Sequence, residues 1–331
     1  MPSIVDTLLQ ILKHSSPATE AAASGAVAAS PLIASCRRIE PQGLFIIGAA
    51  RSGTTILQNA LNDSSDIFLF GEPAFHGDAG SNDFAARYNA MHRSWGNQET
   101  KSSYCPPLFA IDAPWHDYLA RLADIYRYVG AKIVINSELA SEQARQLFAF
   151  QCQHFYASRY LFTFRNPLDV LVSTRGLAEL NGSRIATCPE VLRGYFVVVQ
   201  LFIRALRNLP HVTAVFHETV NAGTFSTLEQ WLKQPLTRAG DYYNVSKVRH
   251  YELSAVPEAH RALTAEAVAL YQNFRRECMA GFELAQIEQN SGHFEQSHFT
   301  ALGQLSRELS KFVDRIDSTY FPIQSPSGEE S

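Results

Sequence analysis

Several features that define large classes of proteins are absent from this sequence. Its 331 residues contain five cysteines and no Cys-x-x-Cys pair, so neither a zinc site nor a disulfide framework is indicated. The 28 basic and 32 acidic residues give a net charge of −4, which argues against a nucleic-acid partner. Outside the amino-terminal segment, the most apolar run, YFVVVQLFI (195–203), covers about half a bilayer. This run predicts a buried helix and no membrane anchor.

The amino-terminal segment lacks the pattern of a secretion signal. The stretch MPSIVDTLLQILKH (1–14) has no basic region before its apolar residues, and Asp6 interrupts them. It predicts a short amphipathic helix. Scattered, reduced cysteines without such a signal predict a cytoplasmic protein. We expect a helical extension at residues 1–41, a main domain at 42–285, and a carboxyl-terminal helix with a tail at 286–331. Within the main domain, residues 74–110 are expected to form an insertion that serves as a lid, acceptor site or spacer.

Short β-branched or aromatic runs alternate with helical patterns along the main domain. Five runs predict strands: residues 43–48, 66–72, 131–138, 159–166 and 211–218. This alternation predicts right-handed βαβ units and an α/β fold, with a central, mostly parallel sheet flanked by helices. Ligands bind at the carboxyl ends of the strands in such sheets. The polar residues at these ends are candidate site residues: Arg51, Glu72, Ser137, Glu138, Arg165, His217 and Glu218.

The run FIIGAARSGTT (45–55) predicts a strand, a glycine-bounded loop and the start of a helix. We call residues 48–53 the first loop. In a P-loop of this layout, backbone N–H groups and the helix amino terminus converge on an anion. A nucleotide triphosphatase carries a lysine after the second glycine, then a Ser or Thr that holds magnesium. This chain has Thr54 and Thr55 there, and Arg51 is the cation of the loop. A Mg-triphosphate therefore fits poorly, and a glycine turn with a surface arginine is the alternative.

A second motif lies in the run RYLFTFRNPLDVLVSTRG (159–176). It predicts a strand that ends at Arg165, a turn over residues 165–167 that we call the second loop, and a helix that carries Ser173. Pro167 suits the first turn of this helix. Arg165 and Ser173 are expected to clamp a second phosphate. The alternative is a helix cap with an ion pair between Arg165 and Asp169.

Together, the two loops predict a nucleotide with anions at its 5′ and 3′ positions. GAARSGTTIL (48–57) resembles the 5′-phosphosulfate loop of sulfotransferases, RNPLDVLVS (165–173) resembles their 3′-phosphate motif, and AVFHETV (214–220) resembles their strand-end acidic segment. The resemblance implies a P-loop NTPase-like sulfotransferase fold. It also implies 3′-phosphoadenosine 5′-phosphosulfate (PAPS) as co-substrate, whose sulfuryl group moves to a hydroxyl or amine. The product would be adenosine 3′,5′-bisphosphate (PAP), and no metal is implied.

The resemblance also implies roles for individual residues. The 5′-phosphosulfate would be held by Arg51, Ser52, Gly53, Thr54 and Thr55, and the 3′-phosphate by Arg165 and Ser173. Arg51 would also stabilise the departing oxygen as a catalytic residue. His217 stands where many members have a tyrosine at the cofactor. Ser246 and Lys247 lie in NVSKVRHY (244–251), which resembles a late segment that closes over the cofactor.

The acceptor needs a base, and Glu72 is the first candidate, because many family members place a glutamate at this strand end. His76 is the second candidate and Glu138 the third. A capping or ion-paired role is the alternative for Glu72. Two departures from the family leave the adenine contacts open: Ile56 replaces an aromatic residue, and no glycine-rich adenine loop is visible.

The acceptor and any partner are less defined. Five aromatic residues are expected to form a lid over a small soluble acceptor, a natural product or a carbohydrate: Phe75, His76, Tyr88, Trp95 and Trp115. An apolar stripe over 302–316 predicts a helix that packs on the domain or on a second copy of the chain. The alternatives to a sulfotransferase are a P-loop kinase or NTPase and a non-catalytic nucleotide-binding protein.

Overall fold

A computed structural model of the chain describes residues 31–75, 82–94, 108, 112–243, 249–287 and 296–322. Contacts within the chain define two compact units, Met1–Pro31 and Leu32–Ser331. Apart from Pro31, the first unit lies outside the described residues. Three predicted site residues also lie outside them: His76, Ser246 and Lys247.

The second unit is built on one parallel sheet of five strands. The strands are β1 (Gly43–Ala49), β2 (Ile67–Gly71), β3 (Tyr128–Ile135), β4 (Arg159–Phe164) and β5 (His211–Phe216). Their order across the sheet is β2-β3-β1-β4-β5, and every neighbouring pair is parallel. The predicted α/β class with a parallel sheet is confirmed.

The central strand β1 shows why both faces of the sheet are covered. All seven of its residues are buried. Phe45 and Ile47 belong to the hydrophobic core on one face, and Leu44 and Ile46 belong to the core on the other. A strand that is apolar on both faces needs helices on both sides.

Helices supply that cover. They are α1 (Pro31–Ile39), α2 (Thr54–Asn62), α3 (Phe84–Ser94), α4 (Trp115–Ala123), α5 (Ala140–His154), α6 (Pro167–Asn181), α7 (Cys188–Asn208), α8 (Ala222–Leu232), α9 (Glu258–Ile287) and α10 (Gln296–Tyr320). Helices α2 and α8 pack on one face of the sheet, and the others contribute to the core on the opposite face. None of the helices in the described ranges is long and apolar enough to cross a membrane.

The predicted carboxyl-terminal stripe is buried within the chain. Helix α10 places Leu302, Leu309 and Ile316 in the core at 0% exposure. It packs on α7 and α9, and the rings of Phe196 and Phe312 lie 5.1 Å apart. Because its own chain covers the stripe, the stripe gives no support to the expected oligomer through this helix.

Two sequence predictions about helices and loops need correction. The run WHDYLARLADIYRYVG (115–130) has a helical pattern that predicts one helix to Gly130, but α4 ends at Ala123 and β3 begins at Tyr128. In addition, three of the expected lid aromatics are core residues with exposures of 3% or less: Phe75, Tyr88 and Trp115. The Phe75 and Trp115 rings lie 5.1 Å apart. The lid prediction is therefore wrong for these three residues, and the other two lie outside the described part of the chain.

Candidate anion-binding site

The first loop connects the end of β1 to the first turn of α2. Gly53 lies in the left-handed region at φ 97° and precedes Thr54, where α2 begins. A Cβ atom on Gly53 would lie 3.0 Å from Nδ1 of His217. Glycine is therefore required here both for the backbone conformation and for the close approach of β5. The free N–H groups and dipole of a helix amino terminus favour an anion at this place.

Ser52 stabilises the base of the first loop. Its buried hydroxyl donates to the carbonyl oxygen of Ala49 at 2.7 Å and lies 2.9 Å from the Thr163 hydroxyl of β4. The Thr163 hydroxyl in turn donates to the carbonyl oxygen of Ser52 at 3.2 Å. The loop is therefore fixed to β4 by side chains before any ligand binds.

The two predicted phosphate motifs meet in the structure. Nε of Arg51 donates to the hydroxyl of Ser173 at 2.9 Å, across 122 positions of sequence. Arg51 belongs to the first loop, and Ser173 lies in the second turn of α6. This hydrogen bond brings the expected 5′ and 3′ sites next to each other at the carboxyl edge of β1 and β4.

Positive charges cluster around Arg51. Partial burial lowers the pKa of Arg51, and the guanidinium of Arg165 lowers it further, whereas Tyr251 raises it and Arg249 lowers it. Like charges that gather in this way repel one another in the absence of an anion. The cluster of Arg51, Arg165 and Arg249 is therefore suited to bind phosphate groups, to which guanidinium groups bind well.

Hydrogen bonds also hold the second loop in place. Asn166 caps α6 by accepting from the Leu168 N–H at 3.0 Å, and its own N–H donates to the carboxylate of Glu218. The hydroxyl of Tyr271 donates to the same carboxylate at 2.7 Å. Glu218, at the end of β5, therefore fixes the backbone of the second loop.

Asp169 links the second loop to the segment that follows residue 248. Its carboxylate is 2% exposed and lies 3.6 Å from Nε of Arg165. It also accepts from the backbone N–H of Tyr251 at 2.9 Å. The ion pair that we considered as the alternative for Arg165 therefore exists. Despite this ion pair, Arg165 still lowers the pKa of Arg51.

His217 faces the first loop from the end of β5. It is buried at 8% exposure, and its Nδ1 has no hydrogen-bond partner among the described residues. Burial lowers the pKa of His217, and the nearby guanidinium of Arg165 lowers it further. A neutral imidazole with an unsatisfied ring nitrogen beside Gly53 is suited to a hydrogen bond with a ligand.

Glu72 is ion-paired on the other side of the first loop. Strand β3 lies between β1 and β2, so Glu72 connects to α2 through Lys132 of β3. The Lys132 ammonium lies 2.6 Å from Oε1 of Glu72 and donates to the Thr55 hydroxyl at 3.0 Å. Lys132 is 1% exposed, and the side chain of Glu72 is 32% exposed. One partner is therefore buried, while the other is open to solvent.

Two of the three predicted catalytic residues have a strained backbone conformation. Arg51 and Glu72 lie in the left-handed region, at φ 67° and 55°, and Ala74 follows at φ 53°. Residues other than glycine seldom adopt this conformation, which costs roughly 1–3 kcal/mol and is frequent at functional sites. The strain therefore supports a functional reason for the backbone path at these two positions.

The remaining candidates lie in other surroundings. Glu138 is ion-paired with Arg184 at the surface. Ser137 packs closely against Gly194 of α7, where an added Cβ would lie 2.6 Å from Cα of Ser137. Ile56 is 38% exposed at the start of α2. Within the described ranges, no group of three or more His, Cys, Asp or Glu side chains could hold a metal ion.

Two residues of the site, Lys132 and Arg249, were not among those predicted from the sequence. Lys132 had a recognisable signal, because a lysine inside the apolar run AKIVI (131–135) is unusual in a strand that is buried on both faces. Arg249 lies in NVSKVRHY (244–251), the run that resembles the late segment, but only Ser246 and Lys247 were chosen from it. The carbonyl oxygen of Arg249 accepts from Arg165, and that contact depends on the tertiary structure alone.

Comparisons with known proteins give structural similarities without sequence matches. One similar structure is a sulfotransferase domain from the curacin biosynthetic pathway, with 15% identity, 64% of this chain and 82% of that chain covered, and a TM-score of 0.42. A sulfotransferase from Alicyclobacillus acidocaldarius has 16% identity, coverages of 68% and 92%, and a TM-score of 0.40. A sulfotransferase from Mycobacterium avium has 13% identity, coverages of 70% and 76%, and a TM-score of 0.42.

No protein-family model matches the chain, and no curated protein matches its sequence. Since all three TM-scores lie below 0.5, we draw no functional conclusion from these similarities.

Proposed function

We propose that this protein is a sulfotransferase that moves the sulfuryl group of PAPS to a hydroxyl or amine of a small-molecule acceptor. The observation that carries the proposal is the contact between two motifs that the sequence alone assigned to opposite ends of one nucleotide. Arg51 of the first loop donates to Ser173 of α6 at 2.9 Å. An isolated glycine turn with a surface arginine gives no reason for this contact.

The residues present fit a nucleotide with two anionic groups. The first loop and the start of α2 offer a site for the 5′-phosphosulfate, through Arg51 to Thr55. Arg165 and Ser173 offer a site for the 3′-phosphate. Nδ1 of His217, which has no hydrogen-bond partner within the described part of the chain, supports a ligand beside Gly53. The like charges around Arg51 support an anionic one.

The proposed reaction is an in-line displacement at sulfur. Glu72 takes the proton of the acceptor hydroxyl or amine while the acceptor atom forms its bond to sulfur. The bond between sulfur and the bridging oxygen of the 5′-phosphate breaks, and this oxygen leaves with the electron pair as part of PAP. We assign to Arg51 the stabilisation of the charge that develops there, and such a donor contributes about 3–4 kcal/mol.

A P-loop kinase is the second candidate, because Lys132 brings a lysine to the start of α2. In the triphosphatase pattern, however, the hydroxyl at the position of Thr55 binds magnesium. Here that hydroxyl accepts a hydrogen bond from the Lys132 ammonium at 3.0 Å. A cation already lies beside the oxygen that the metal would need, so this geometry favours the metal-independent reaction.

Calorimetry tests the nucleotide that the proposal requires. Without divalent ions, PAP should bind at least about a hundredfold more tightly than AMP. PAP has the additional 3′-phosphate, and a desolvated contact between a phosphate and a guanidinium contributes roughly 3 kcal/mol. Arg165→Ala should remove this preference and leave the weak binding of AMP. Equal affinities of the wild-type chain for PAP and AMP would contradict the proposal.

Arg159→Ala is the matched control. Arg159 begins β4, at the end of the strand away from Arg165, and its guanidinium lies 5.2 Å from the centre of the Tyr128 ring. This variant should leave the preference for PAP unchanged. The acceptor can then be sought by incubating the protein with ³⁵S-labelled PAPS and a metabolite extract, followed by mass analysis of the labelled product.

A further inference from the structure

Lys132 has no place in the reaction described so far, although it contacts two of its proposed residues. It lies within β3, in register with Ile46 of β1 and Gly71 of β2. Its ammonium lies 2.6 Å from Glu72 and 3.0 Å from the Thr55 hydroxyl. We propose that Lys132 is a positioning residue for sulfuryl transfer, which holds the base Glu72 and Thr55 of the anion site in one fixed arrangement. This inference rests on the proposed function.

The burial of Lys132 is the first argument for this role. An ammonium group removed from water costs several kcal/mol unless it is paired, and an apolar residue of similar volume is often at least as stable in its place. Lys132 is 1% exposed in a sheet whose central strand β1 is apolar on both faces. A merely structural residue at this position would be served by methionine or leucine, so the retained charge indicates a task at the site.

The arrangement of its partners is the second argument. Glu72 follows β2, and Thr55 lies in the first turn of α2, so these two residues belong to different elements. Lys132 reaches both from the strand between β1 and β2. It thus fixes the distance between the group that takes the acceptor's proton and the loop that binds the departing phosphate.

The ion pair also distinguishes the two oxygens of the Glu72 carboxylate. Oε1 faces the ammonium of Lys132 at 2.6 Å. We assign Oε2 to the acceptor, so that the proton passes from the acceptor atom to Oε2 and then to solvent. Without Lys132, the carboxylate can rotate, and Oε2 no longer stays directed at the acceptor. The expected loss therefore falls on kcat and not on nucleotide binding.

A double-mutant cycle on kcat tests this role, with PAPS and the acceptor found in the screen. Lys132→Met should lower kcat about a hundredfold and change the dissociation constant of PAP less than about fivefold. In the Glu72→Gln background, the same substitution should change kcat less than about threefold, because the carboxylate through which Lys132 acts is absent. Lys132→Arg keeps the charge, and its kcat should be at least about tenfold higher than that of Lys132→Met.

Lys311→Met is the matched control, since Lys311 is exposed on α10. It should leave kcat unchanged. If Lys132→Met does not fold, Lys132→Gln replaces it in the cycle, with the same expected results. Independent, additive losses from Lys132 and Glu72 would overturn the inference, as would an unchanged kcat in the Lys132 variant.

The two proposals fail in different ways. If the wild-type chain does not prefer PAP over AMP and does not transfer the label from PAPS, the proposed function is wrong, and this inference is wrong with it. A wild-type chain that does both, while the cycle is additive, leaves the proposed function intact and removes only the role of Lys132.

Discussion

The two flanks of the first loop differ in how their charges are arranged. Toward β3 and β2, the ammonium of Lys132 lies 2.6 Å from the carboxylate of Glu72, so positive and negative charge are balanced. Toward β4 and α6, the charges that lower the pKa of Arg51 are the guanidinium groups of Arg165 and Arg249. We call these the paired flank and the cationic flank.

The difference separates two tasks. A balanced ion pair needs no further partner and can hold a catalytic carboxylate in place. Like charges that lie close together are unfavourable until an anion neutralises them. We therefore assign proton transfer to the paired flank and the binding of the nucleotide to the cationic flank. Substitutions on the two flanks should affect different measurements.

The largest expected effect is the loss of the base on the paired flank. Glu72→Gln keeps the size of the side chain but cannot accept the proton, so kcat should fall about a thousandfold. The affinity for PAP should stay within a factor of about three. Transfer from labelled PAPS gives the rate, and calorimetry gives the affinity.

Glu142→Gln provides the control, because this exposed glutamate at the start of α5 interacts with Gln146. Full activity in Glu72→Gln would show that the base is misassigned, and His76 would be tested next. A large loss of PAP affinity would instead show that the two flanks do not have separate tasks.

The next effect is expected from Arg51 on the cationic flank. Arg51→Gly should weaken PAP binding by roughly thirtyfold, since one charge-assisted contact is lost. The free energy of unfolding should nevertheless rise by up to about 1 kcal/mol, because the relief of strain at φ 67° and of repulsion by Arg165 outweighs the lost hydrogen bond to Ser173. Urea denaturation measures the second change. A variant that loses both binding and stability would contradict this account of the flank.

A smaller effect is expected at Ala74, which has a strained backbone and an uncharged side chain. Ala74 lies on the paired flank at φ 53° and is exposed. Ala74→Gly should raise the free energy of unfolding by up to about 1 kcal/mol and leave kcat unchanged, because only the Cβ strain is removed. An Ala74→Gly variant with lower stability would show that the backbone around Glu72 is not strained.

The smallest expected effect is the pH dependence contributed by His217. Its pKa is lowered in the folded chain by burial and by Arg165, so the unfolded chain binds more protons at this residue. Its unfavourable contribution should therefore grow as the pH falls below about 6.5, the ordinary value for histidine. His217→Gln should flatten the acid side of the stability curve, measured by thermal unfolding from pH 7 to pH 5. A steeper acid side in the variant would contradict the lowered pKa.

The sequence predicted the strands and both loops well, because their signals are local. Each of the five predicted runs overlaps one observed strand, and α2 spans Thr54–Asn62, the run TTILQNALN that has a helical pattern. One strand, β3, begins earlier than predicted, since a helical pattern was extended through Tyr128 to Gly130. There the pairing with β1 and β2 outweighs the local pattern.

Properties that depend on tertiary contacts were not predictable in the same way. The strand order places β3 between β1 and β2, and only this order lets Lys132 reach both Glu72 and Thr55. The aromatic residues Phe75 and Trp115 were expected in a lid, but they contribute to the core beside β2. Sequence spacing does not tell which side of a loop faces the protein.

A crystal structure of the chain with bound PAP would test the central claim most directly. The account predicts the 5′-phosphate on the first loop, within hydrogen-bond distance of Arg51, and the 3′-phosphate between Arg165 and Ser173. A structure in which the first loop holds ATP with a divalent ion, while no anionic group lies near Arg165 and Ser173, would contradict it.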